Sequence, residues 1–450
     1  MDMVKPPLHP IQAPIKGFSR LSKEEKINYI IKTYLNDEAS VSEEEAKKLL
    51  QSFWHSDDDL QKTLDEFSEN TVSNFAFPFG VAPNVLINDH LYCVPMVIEE
   101  SSVVAAASKA AKFWLERGGF KAEVISTVKS GQVHLKWNGP KEEFLNLFES
   151  AKEELFESLA PIEVNMKKRG GGVKEISLVD KTDILEGYYQ IWADFETCDA
   201  MGANFINTVL EALGKEWEAI VNRDLKEGDI QIIMAILSNY TSDCLVRAWV
   251  ECPIEDLAEK GIDPVEFAQK FKNSVDIATL DVHRATTHNK GIMNGIDSVV
   301  LATGNDFRAV EACAHAYAAR DGQYRSLTRC SIEDDTFLFE ITIPLSLGTV
   351  GGLTSLHPMA KLSLDILGRP NAKELMEITA VIGLAQNFAA LRSLTTTGIQ
   401  KGHMKMHLMN ILNHLQANEE EREKAKVKFS EEVISFKGVS DFITQLRQYQ

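Results

Sequence analysis

The sequence predicts an α+β fold in which a large, mostly helical domain carries a small α+β domain as an insert. The chain has 450 residues, too many for one compact hydrophobic core, so two or three domains are expected. Between residues 120 and 240, strand-like segments are mixed with two helical segments, whereas later residues have mostly helical periodicity. Hydrophobic residues make up 44% and charged residues 25% of the chain, which places it among ordinary globular proteins.

The residues before the insert begin with a predicted helix. Ser22 and Glu25 have the spacing of a capping box, and Ile27, Ile30 and Ile31 follow at helical intervals. Further along, we expect an acidic helical region at 42–67, short strands at 85–87 and 92–98, and an alanine-rich helix at 102–117.

The insert and the residues after it have different patterns. In the insert, we predict strands in AEVISTV, QVHLKW, EISLV and YYQIWADF, helices at 141–159 and 203–221, and a basic glycine loop, KKRGGG. From 254 to 415 we expect mostly helix, interrupted by glycine-rich turns at 291–295, 304–306 and 348–352. A charged, largely helical tail is expected from 418 to 450.

Composition excludes several classes of function. The formal net charge of −19 gives the chain no general attraction to nucleic acid, so an anionic substrate needs a locally basic pocket. The six cysteines contain no Cys-x-x-Cys pair, and we expect reduced thiols in a cytoplasmic protein. The chain has neither an apolar run of about 18 residues nor an apolar signal core, so no membrane span is expected.

Common catalytic and cofactor signatures are missing from the sequence. No Gly-x-Gly-x-x-Gly follows a strand, and neither the phosphate-binding loop of nucleotide hydrolases nor a Gly-x-Ser-x-Gly elbow occurs. His403 and His407 have the spacing of metal ligands on a helix. However, Met404 replaces the glutamate of the zincin pattern and no third ligand is evident, so we expect no metal.

Two polar segments stand out among apolar residues. The first, THNKGIMNGID with its neighbours, is either a surface loop that leads to a helix cap at Asn305 or Asp306, or a functional site. The capping alternative does not account for Lys290 and Asn294 together. In the second, Glu100 follows an apolar strand and precedes a helix, where it either favours the helix macrodipole or donates a proton.

Long motifs in a fixed order carry a resemblance to a known family. They are ENTVSNFAFPFGVA, VPMVIEESSVVAAASKAAK, DAMGAN, THNKGIMNGID, ATGNDFRAVEACAHAYAARDGQY and GIQKGHMKMH. In order and separation they resemble the class II, soluble 3-hydroxy-3-methylglutaryl-CoA (HMG-CoA) reductases, over about residues 17 to 415. The resemblance implies an oxidoreductase of the mevalonate pathway that interconverts HMG-CoA with mevalonate and CoA, using NADH or NADPH and no metal.

The resemblance also implies residue roles. Lys290 would polarise the thioester carbonyl and stabilise the oxyanion, with Asp306 beside it. Glu100 would donate a proton to the aldehyde-stage oxygen, and His403 would protonate the departing CoA thiolate so that it cannot add back. The substrate-binding positions are Ser102, Arg284, Asn294, Ala390 and Leu394. Arg284 suits the HMG carboxylate, and Ala390 and Leu394 would contact the substrate methyl group.

For the nicotinamide cofactor, the resemblance points to the DAMGAN loop and one later position. The residues are Asp199, Met201, Gly202, Asn204 and Asn239. The cofactor preference stays open at this stage. Glu153 would bond the ribose hydroxyls and favour NADH, whereas Lys167, Lys168 and Arg169 would attract the 2′-phosphate of NADPH.

A domain arrangement and an assembly follow from the same resemblance. Residues 1–119 and 241–397 would form the large HMG-CoA-binding domain, and 120–240 a small, ferredoxin-like, non-Rossmann NAD(P)-binding domain. Residues 398–450 would form a C-terminal helical flap that brings His403 over the substrate. A homodimer or an assembly of dimers is expected, with no nucleic-acid or membrane partner.

Three other interpretations compete with a reductase. A non-catalytic CoA-thioester or isoprenoid-sensing protein would have lost one of the four catalytic residues, and all four are present. An oxidoreductase for a different acyl-CoA is disfavoured by the substrate positions, and turnover of HMG-CoA against acetoacetyl-CoA separates the two. A purely structural oligomer does not explain the polar groups. The physiological direction of the reaction is left open by the sequence.

Overall fold

The computed structural model describes residues 14–35, 39–259, 261–396, 408–429, 432 and 434–448. The chain divides into two compact units, Met1–Pro78 and Phe79–Gln450, and has a mixed α and β fold. The strands are β1 Phe79–Ile87, β2 His90–Val97, β3 Lys121–Val124, β4 Lys129–Trp137, β5 Gly172–Asp180, β6 Tyr188–Glu196, β7 Ile230–Leu237, β8 Leu245–Pro253, β9 Thr328–Glu333 and β10 Thr336–Pro344. The labelled helices are α1 Lys23–Tyr34, α2 Glu43–Ser52, α3 Asp58–Asp65, α4 Val103–Leu115, α5 Lys141–Lys167, α6 Ala203–Asp224, α7 Pro264–Leu280, α8 Val282–Ala302, α9 Phe307–Ala318, α10 Gly352–Leu356, α11 Pro358–Ile366, α12 Ala372–Thr395, α13 Glu419–Lys428 and α14 Phe436–Gln448.

The first unit is built from short capped helices. The predicted capping box is confirmed, because the Ser22 hydroxyl accepts a hydrogen bond from the Glu25 amide (3.3 Å) and the Glu25 carboxylate accepts one from the Ser22 amide (2.8 Å). The predicted acidic helical region forms the two helices α2 and α3. Asp57 starts the second of them by accepting hydrogen bonds from the first amides of α3.

The first four-stranded sheet of the second unit is antiparallel, with strand order β3-β8-β10-β9. The segment AEVISTV, predicted to lie in the insert, begins in β3, which therefore belongs to this first sheet. The chain leaves the sheet after β3 and returns to it at β8. Helices α4, α7, α8 and α12 contribute with the sheet to one hydrophobic core.

The residues between β3 and β8 form a second four-stranded sheet with two helices. Their element order is β4-α5-β5-β6-α6-β7, and the antiparallel strands lie in the order β5-β6-β4-β7. This is the β-α-β-β-α-β pattern of the split βαβ motif. Phe144, Phe148 and Trp217 from the two helices pack in a core that is separate from that of the first sheet. Strand β7 was absent from the predicted elements.

The glycine-rich turn predicted in NKGIMNG is wrong, because this segment lies inside the continuous helix α8. A Cβ atom on Gly295 would lie 2.7 Å from the carbonyl oxygen of Ile382 on α12, and one on Gly383 would lie 2.7 Å from the Ile296 side chain. These glycines therefore allow α8 and α12 to approach closely. By contrast, a Cβ atom on Gly291 meets nothing within 4 Å.

The expectation of mostly helix from 254 to 415 is wrong for the segment that forms β9 and β10. The two strands pair as a hairpin, joined by Asp334 and Asp335 with φ angles of 48° and 60°. Positive φ at both central residues is typical of a tight hairpin turn, and aspartate tolerates it. Along β10, Phe337, Phe339 and Ile341 are fully buried, so the alternation of a half-buried strand is present.

The C-terminal residues form a third hydrophobic cluster. Residues 408–414 are helical, and α13 and α14 follow. Leu412, Ala425 and Val439 are fully buried in this cluster, so the largely helical tail is as expected. Within the described residues, no helix combines the length and the apolar composition needed to cross a bilayer.

Candidate active site

Glu100, Lys290 and Asn294 form one polar contact. Lys290 and Asn294 lie one turn apart on α8, and Glu100 lies in the short turn between β2 and α4. The Lys290 Nζ atom lies 2.7 Å from the Glu100 Oε2 atom, and the Asn294 Nδ2 atom lies 3.4 Å from the same oxygen. The exposed fractions of the Lys290 and Glu100 side chains are 61% and 41%, so the ion pair is open to an incoming ligand.

Ser102 adjoins this contact at the start of α4. Its φ angle is 78°, in the left-handed region that is costly for a residue with a side chain. Its hydroxyl forms no capping hydrogen bond with the helix. The backbone thus holds a serine in a sparsely populated conformation two residues from Glu100, and such outliers concentrate at binding sites.

Buried polar side chains fix α8 to the start of β9 and to the segment before it. The His288 Nε2 atom lies 2.6 Å from the Thr328 hydroxyl, and the Asn289 amide donates to the Arg325 carbonyl over 2.8 Å. Burial lowers the pKa of His288 to about 3, so its imidazole is neutral at physiological pH. These two residues of the THNKG motif therefore position Lys290, their neighbour in the chain.

Asp306 lies at the start of α9 and caps it. Its Oδ1 atom accepts hydrogen bonds from the amides of Arg308 (3.0 Å) and Ala309 (3.2 Å), and its Oδ2 atom lies 3.0 Å from the Arg308 guanidinium. This is the capping alternative considered for the sequence. In the part of the chain that the structure describes, the ion pair of Asp306 is with Arg308, whereas that of Lys290 is with Glu100.

The other positions proposed for the substrate lie near the start of α8 and near the end of α12. Arg284 is in the first turn of α8, where burial lowers the pKa of its guanidinium. Even so, an arginine side chain stays cationic in proteins. Ala390 and Leu394 lie one turn apart near the end of α12, and both are partly exposed. His403 lies outside the described residues.

The DAMGAN segment, between β6 and α6, contacts the glycine-rich loop after β10. The amide of Thr349 donates to the Asp199 carbonyl (2.8 Å), and the Asp199 carboxylate accepts from the amide of Ala372, the first residue of α12 (2.9 Å). A Cβ atom on Gly348 would lie 2.5 Å from the amide nitrogen of Met201. The absence of a side chain there permits the close approach of the two loops.

A buried lysine supports the DAMGAN segment. Lys129 is only 3% exposed, and its Nζ atom donates to the Thr197 hydroxyl (2.5 Å) and to the Ala200 carbonyl (2.9 Å). Burial lowers the pKa of Lys129, an effect that neighbouring negative groups such as Glu196 oppose. Within the segment, Gly202 has a φ angle of 95° and immediately precedes α6.

A cavity of about 570 Å³ opens beside the same loops. Its lining includes Asp199, Thr349, Lys361 and Arg369, and Arg369 also pairs with Asp365 over 2.7 Å. The volume lies within the roughly 300–1,000 Å³ that is usual for small-molecule sites. Lys361 and Arg369 place two cations in the lining, and the Asp199 and Asp365 carboxylates balance them.

The KKRGGG loop lies at the end of α5, next to the residues that lead into DAMGAN. The Cys198 thiol donates to the carbonyl of Arg169 over 3.2 Å, and Lys167 pairs with Glu163 over 2.8 Å. Glu153 is exposed on the same helix. At a rise of about 1.5 Å per residue, it lies roughly 20 Å along α5 from Lys167. The loop is therefore near DAMGAN, and Glu153 lies much farther back along the helix.

Asn204 and Asn239 complete the positions expected to bind the cofactor. Asn204 is exposed in the first turn of α6. Asn239 is exposed in the loop after β7, where it lines a small cavity together with Met201 and Lys129. Asn204 is thus the last residue of the DAMGAN segment, and Asn239 lines a cavity together with another of its residues.

Comparison with known proteins decides the family. The family model described as hydroxymethylglutaryl-coenzyme A reductase matches residues 33–408. The chain belongs to the hydroxymethylglutaryl-coenzyme A reductase family. A 3-hydroxy-3-methylglutaryl-coenzyme A reductase of Archaeoglobus fulgidus is 37% identical over 403 residues, which cover 88% of this chain and 86% of that protein. A probable reductase of Borreliella burgdorferi is 35% identical over 348 residues, covering 77% of this chain and 78% of the relative.

Solved structures of reductases from Streptococcus pneumoniae agree with this assignment. A class II reductase bound to NADPH in open conformations has a TM-score of 0.68 and 37% identity, covering 84% of this chain and 99% of that chain. A second structure has a TM-score of 0.70 and 36% identity, covering 96% of this chain and 99% of that chain. The resemblance found in the sequence is confirmed, and the chain is an NAD(P)H-dependent oxidoreductase of the mevalonate pathway.

The reductase motifs are brought together only in part by the described residues. Glu100, Lys290 and Asn294 meet directly, whereas Asp306 is engaged in its helix cap. Sequence reasoning missed Lys129 as a support of DAMGAN and treated the loop at 348–352 as a turn alone. The glycine cluster in GTVGG was a usable signal for a close backbone approach, whereas nothing local marks the lysine.

Proposed function

We propose that this chain reduces HMG-CoA to mevalonate and CoA at Lys290, Glu100 and Asn294, with oxidation of two molecules of NAD(P)H. The contact among these side chains carries the proposal, since it gathers a cation, a carboxyl group and an amide donor at one half-exposed point. The same groups serve the reverse reaction, because an acid in one direction is a base in the other.

Lys290 acts on the oxygen that becomes negatively charged during reduction. An ammonium group placed at a developing oxyanion is one of the strongest forms of catalytic stabilisation. In the free protein this group faces the Glu100 carboxylate at 2.7 Å, so a bound carbonyl oxygen takes up part of that interaction. Asn294 supplies an amide N–H at the same point. Its Nδ2 atom lies 3.4 Å from the Glu100 Oε2 atom, close enough to donate to an oxygen bound there.

Proton transfer is assigned to Glu100 and His403. Glu100 gives a proton to the oxygen at the aldehyde stage, for which its position beside Lys290 is suitable. His403 protonates the CoA thiolate, which removes the nucleophile that would add back to mevaldehyde. Asp306 couples to Lys290 only after exchanging its present partner, the Arg308 guanidinium.

The cavity beside DAMGAN is proposed to hold the cofactor, which supplies hydride when it is bound. The fit is supported by its volume, by the close backbone approach at Gly348, and by the cations of Lys361 and Arg369, which suit a diphosphate. Asp199 lines this cavity, whereas Met201 and Asn239 line the separate, smaller one. Gly202 and Asn204 lie at the start of α6, and all five are assigned to cofactor binding. The position of the KKRGGG loop next to this segment supports NADPH as the preferred cofactor.

The finer architecture is proposed as well. Within the predicted insert 120–240, the residues from β4 to β7 form a small ferredoxin-like cofactor domain, whereas β3 belongs with the large domain made of 1–119 and 241–397. Residues 398–450 form a flap. The separate cores of the sheet β5-β6-β4-β7 and of the C-terminal helices support these divisions. A homodimer or an assembly of dimers is proposed. Exposed apolar side chains along α10 and α11, such as Leu356 and Leu362, are consistent with a covered surface.

The proposal is tested by following the absorbance of the reduced nicotinamide with purified protein. HMG-CoA is supplied with NADH and NADPH in separate reactions, and acetoacetyl-CoA replaces it in a second series. We expect oxidation with HMG-CoA that is lost in Lys290→Ala and retained in Lys270→Ala, a surface lysine paired with Glu266 on α7. Folded protein that oxidises neither cofactor with HMG-CoA, or that prefers acetoacetyl-CoA, contradicts the proposal.

A further inference from the structure

A second acidic residue lies on the same face of α8 as the active-site residues. Asp297 follows Asn294 by three positions and Lys290 by seven, so the three side chains are in line along the helix. The Asp297 side chain is mostly buried, and among the described residues its Oδ1 atom has no hydrogen-bond partner. A buried carboxyl oxygen without a donor is costly, and its presence beside an active site requires an explanation.

Asp297 interacts with another carboxyl group, that of Glu311 on α9, and two carboxyl groups can bond each other only while one of them keeps its proton. Glu99, the residue before Glu100, adds its negative charge from the turn after β2. Beyond the pair, the Glu311 carboxylate lies 3.4 Å from the His315 Nε2 atom. These contacts connect the neighbourhood of Glu100 with the surface of α9.

Two carboxyl groups in contact share one proton, because two adjacent negative charges repel each other strongly in a partly buried site. Burial raises the pKa of Asp297 to about 8, and the hydrogen bond and charge of Glu311 and the charge of Glu99 act in the same direction. The proton is therefore held at neutral pH and lost in mildly alkaline solution. The loss adds one negative charge beside the turn that carries Glu99 and Glu100.

We propose that Asp297 and Glu311 form a proton-sharing pair that positions the Glu99–Glu100 turn against Lys290. With the shared proton in place, the pair carries one negative charge, and Glu99 and Glu100 stay where Glu100 contacts Lys290. When the proton is lost, the pair carries two negative charges. Their repulsion of Glu99 then moves the turn away from Lys290, and turnover falls. The two carboxyl groups act through Glu100 and are positioning residues. The inference rests on the proposed function, since Glu100 is the proton donor of that reaction.

The pH dependence of kcat/KM for HMG-CoA tests the pair. In Asp297→Asn, an uncharged amide replaces the protonated carboxyl group, so we expect kcat/KM at pH 7 to fall by no more than about tenfold, the effect of losing one neutral hydrogen bond. We also expect the alkaline fall near pH 8 to disappear. The matched control Asp276→Asn, in an exposed pair with Lys272 on α7, keeps the fall. An unchanged alkaline fall in Asp297→Asn, or a folded variant inactive at every pH, overturns the inference.

Thermal unfolding at several pH values decides the same question without enzymatic activity. Because the folded-state pKa of Asp297 is above its unfolded value of about 3.9, the stability it contributes is present at low pH and is lost as the pH rises through 8. We expect the Tm of the original protein to fall from pH 5 to pH 9 more steeply than that of Asp297→Asn. Parallel curves of Tm against pH for the two proteins overturn the inference of a proton-sharing pair. If the curves are not parallel but the protein has no reductase activity, the proposed function is refuted and the inference of the pair is retained.

Discussion

Replacement of Lys290 by alanine separates the catalytic contribution of this side chain from its structural one. The Lys290–Glu100 pair is half-exposed, with exposed fractions of 61% and 41%, and such pairs contribute about 0–1 kcal/mol to stability. Removal of a group that stabilises an oxyanion instead costs about 2.7–4 kcal/mol in the transition state, or about 10²–10³ in kcat. We therefore expect turnover to fall at least about a hundredfold, with a change in the free energy of unfolding below about 1 kcal/mol.

Both quantities are measured on the same preparations. The rate of cofactor oxidation is recorded at saturating HMG-CoA, and unfolding is followed in urea. Lys270→Ala is the matched control, since it removes an exposed ion pair to Glu266 (2.6 Å) away from the site. The reasoning is refuted if Lys290→Ala keeps more than about one tenth of the original kcat, a loss too small for an oxyanion-stabilising group. A large loss of stability also refutes it, because activity would then fall through unfolding.

Three further changes have defined outcomes. Gly295→Ala should lower the free energy of unfolding by about 1–3 kcal/mol, because its Cβ would lie 2.7 Å from the Ile382 carbonyl oxygen. Gly291→Ala should leave the free energy of unfolding unlowered, because its Cβ meets nothing within 4 Å. Equal Tm values for the two variants contradict this expectation. Lys129→Met should raise the KM for the cofactor at least about tenfold, since a charged hydrogen bond to DAMGAN is worth about 1.5–3 kcal/mol. An unchanged KM argues against that support. Arg169→Glu should raise the KM for NADPH more than that for NADH, and equal effects would place the 2′-phosphate elsewhere.

Features that depend on neighbouring residues were predictable from the sequence. The capping box of α1 and the alanine-rich helix α4 follow from side chains a few positions apart, and both are present in the structure. The hairpin of β9 and β10 was missed although its signal is local. Asp334 and Asp335 interrupt an alternating pattern that was assigned to the surrounding helical region.

Features that depend on distant residues could not be predicted. The glycines of α8 suggested a turn, because the carbonyl of Ile382 that requires Gly295 comes from a helix late in the chain. The contact of Asp199 with Thr349 likewise joins two loops that lie far apart in sequence. Long-range approaches of this kind are fixed by packing, which residue spacing does not reveal.

The candidate site was found through motifs rather than through physical pattern alone. Taken by themselves, Glu100 and Asp306 had equally good explanations as groups at helix starts, and Asp306 does cap α9. The order of the motifs resolved this, since the matching family covers residues 33–408. The carboxyl pair of Asp297 and Glu311 escaped notice because it requires the packing of α8 against α9.

The stoichiometry of the reaction tests the central claim most directly. Purified protein is given a limiting amount of HMG-CoA with excess reduced cofactor, and oxidised cofactor, free CoA thiol and mevalonate are each quantified at completion. The account predicts two cofactor molecules oxidised for each CoA and each mevalonate released, with none oxidised by Lys290→Ala over the same period. One cofactor oxidised per CoA, with an aldehyde as the final product, or no oxidation by folded protein, would contradict it.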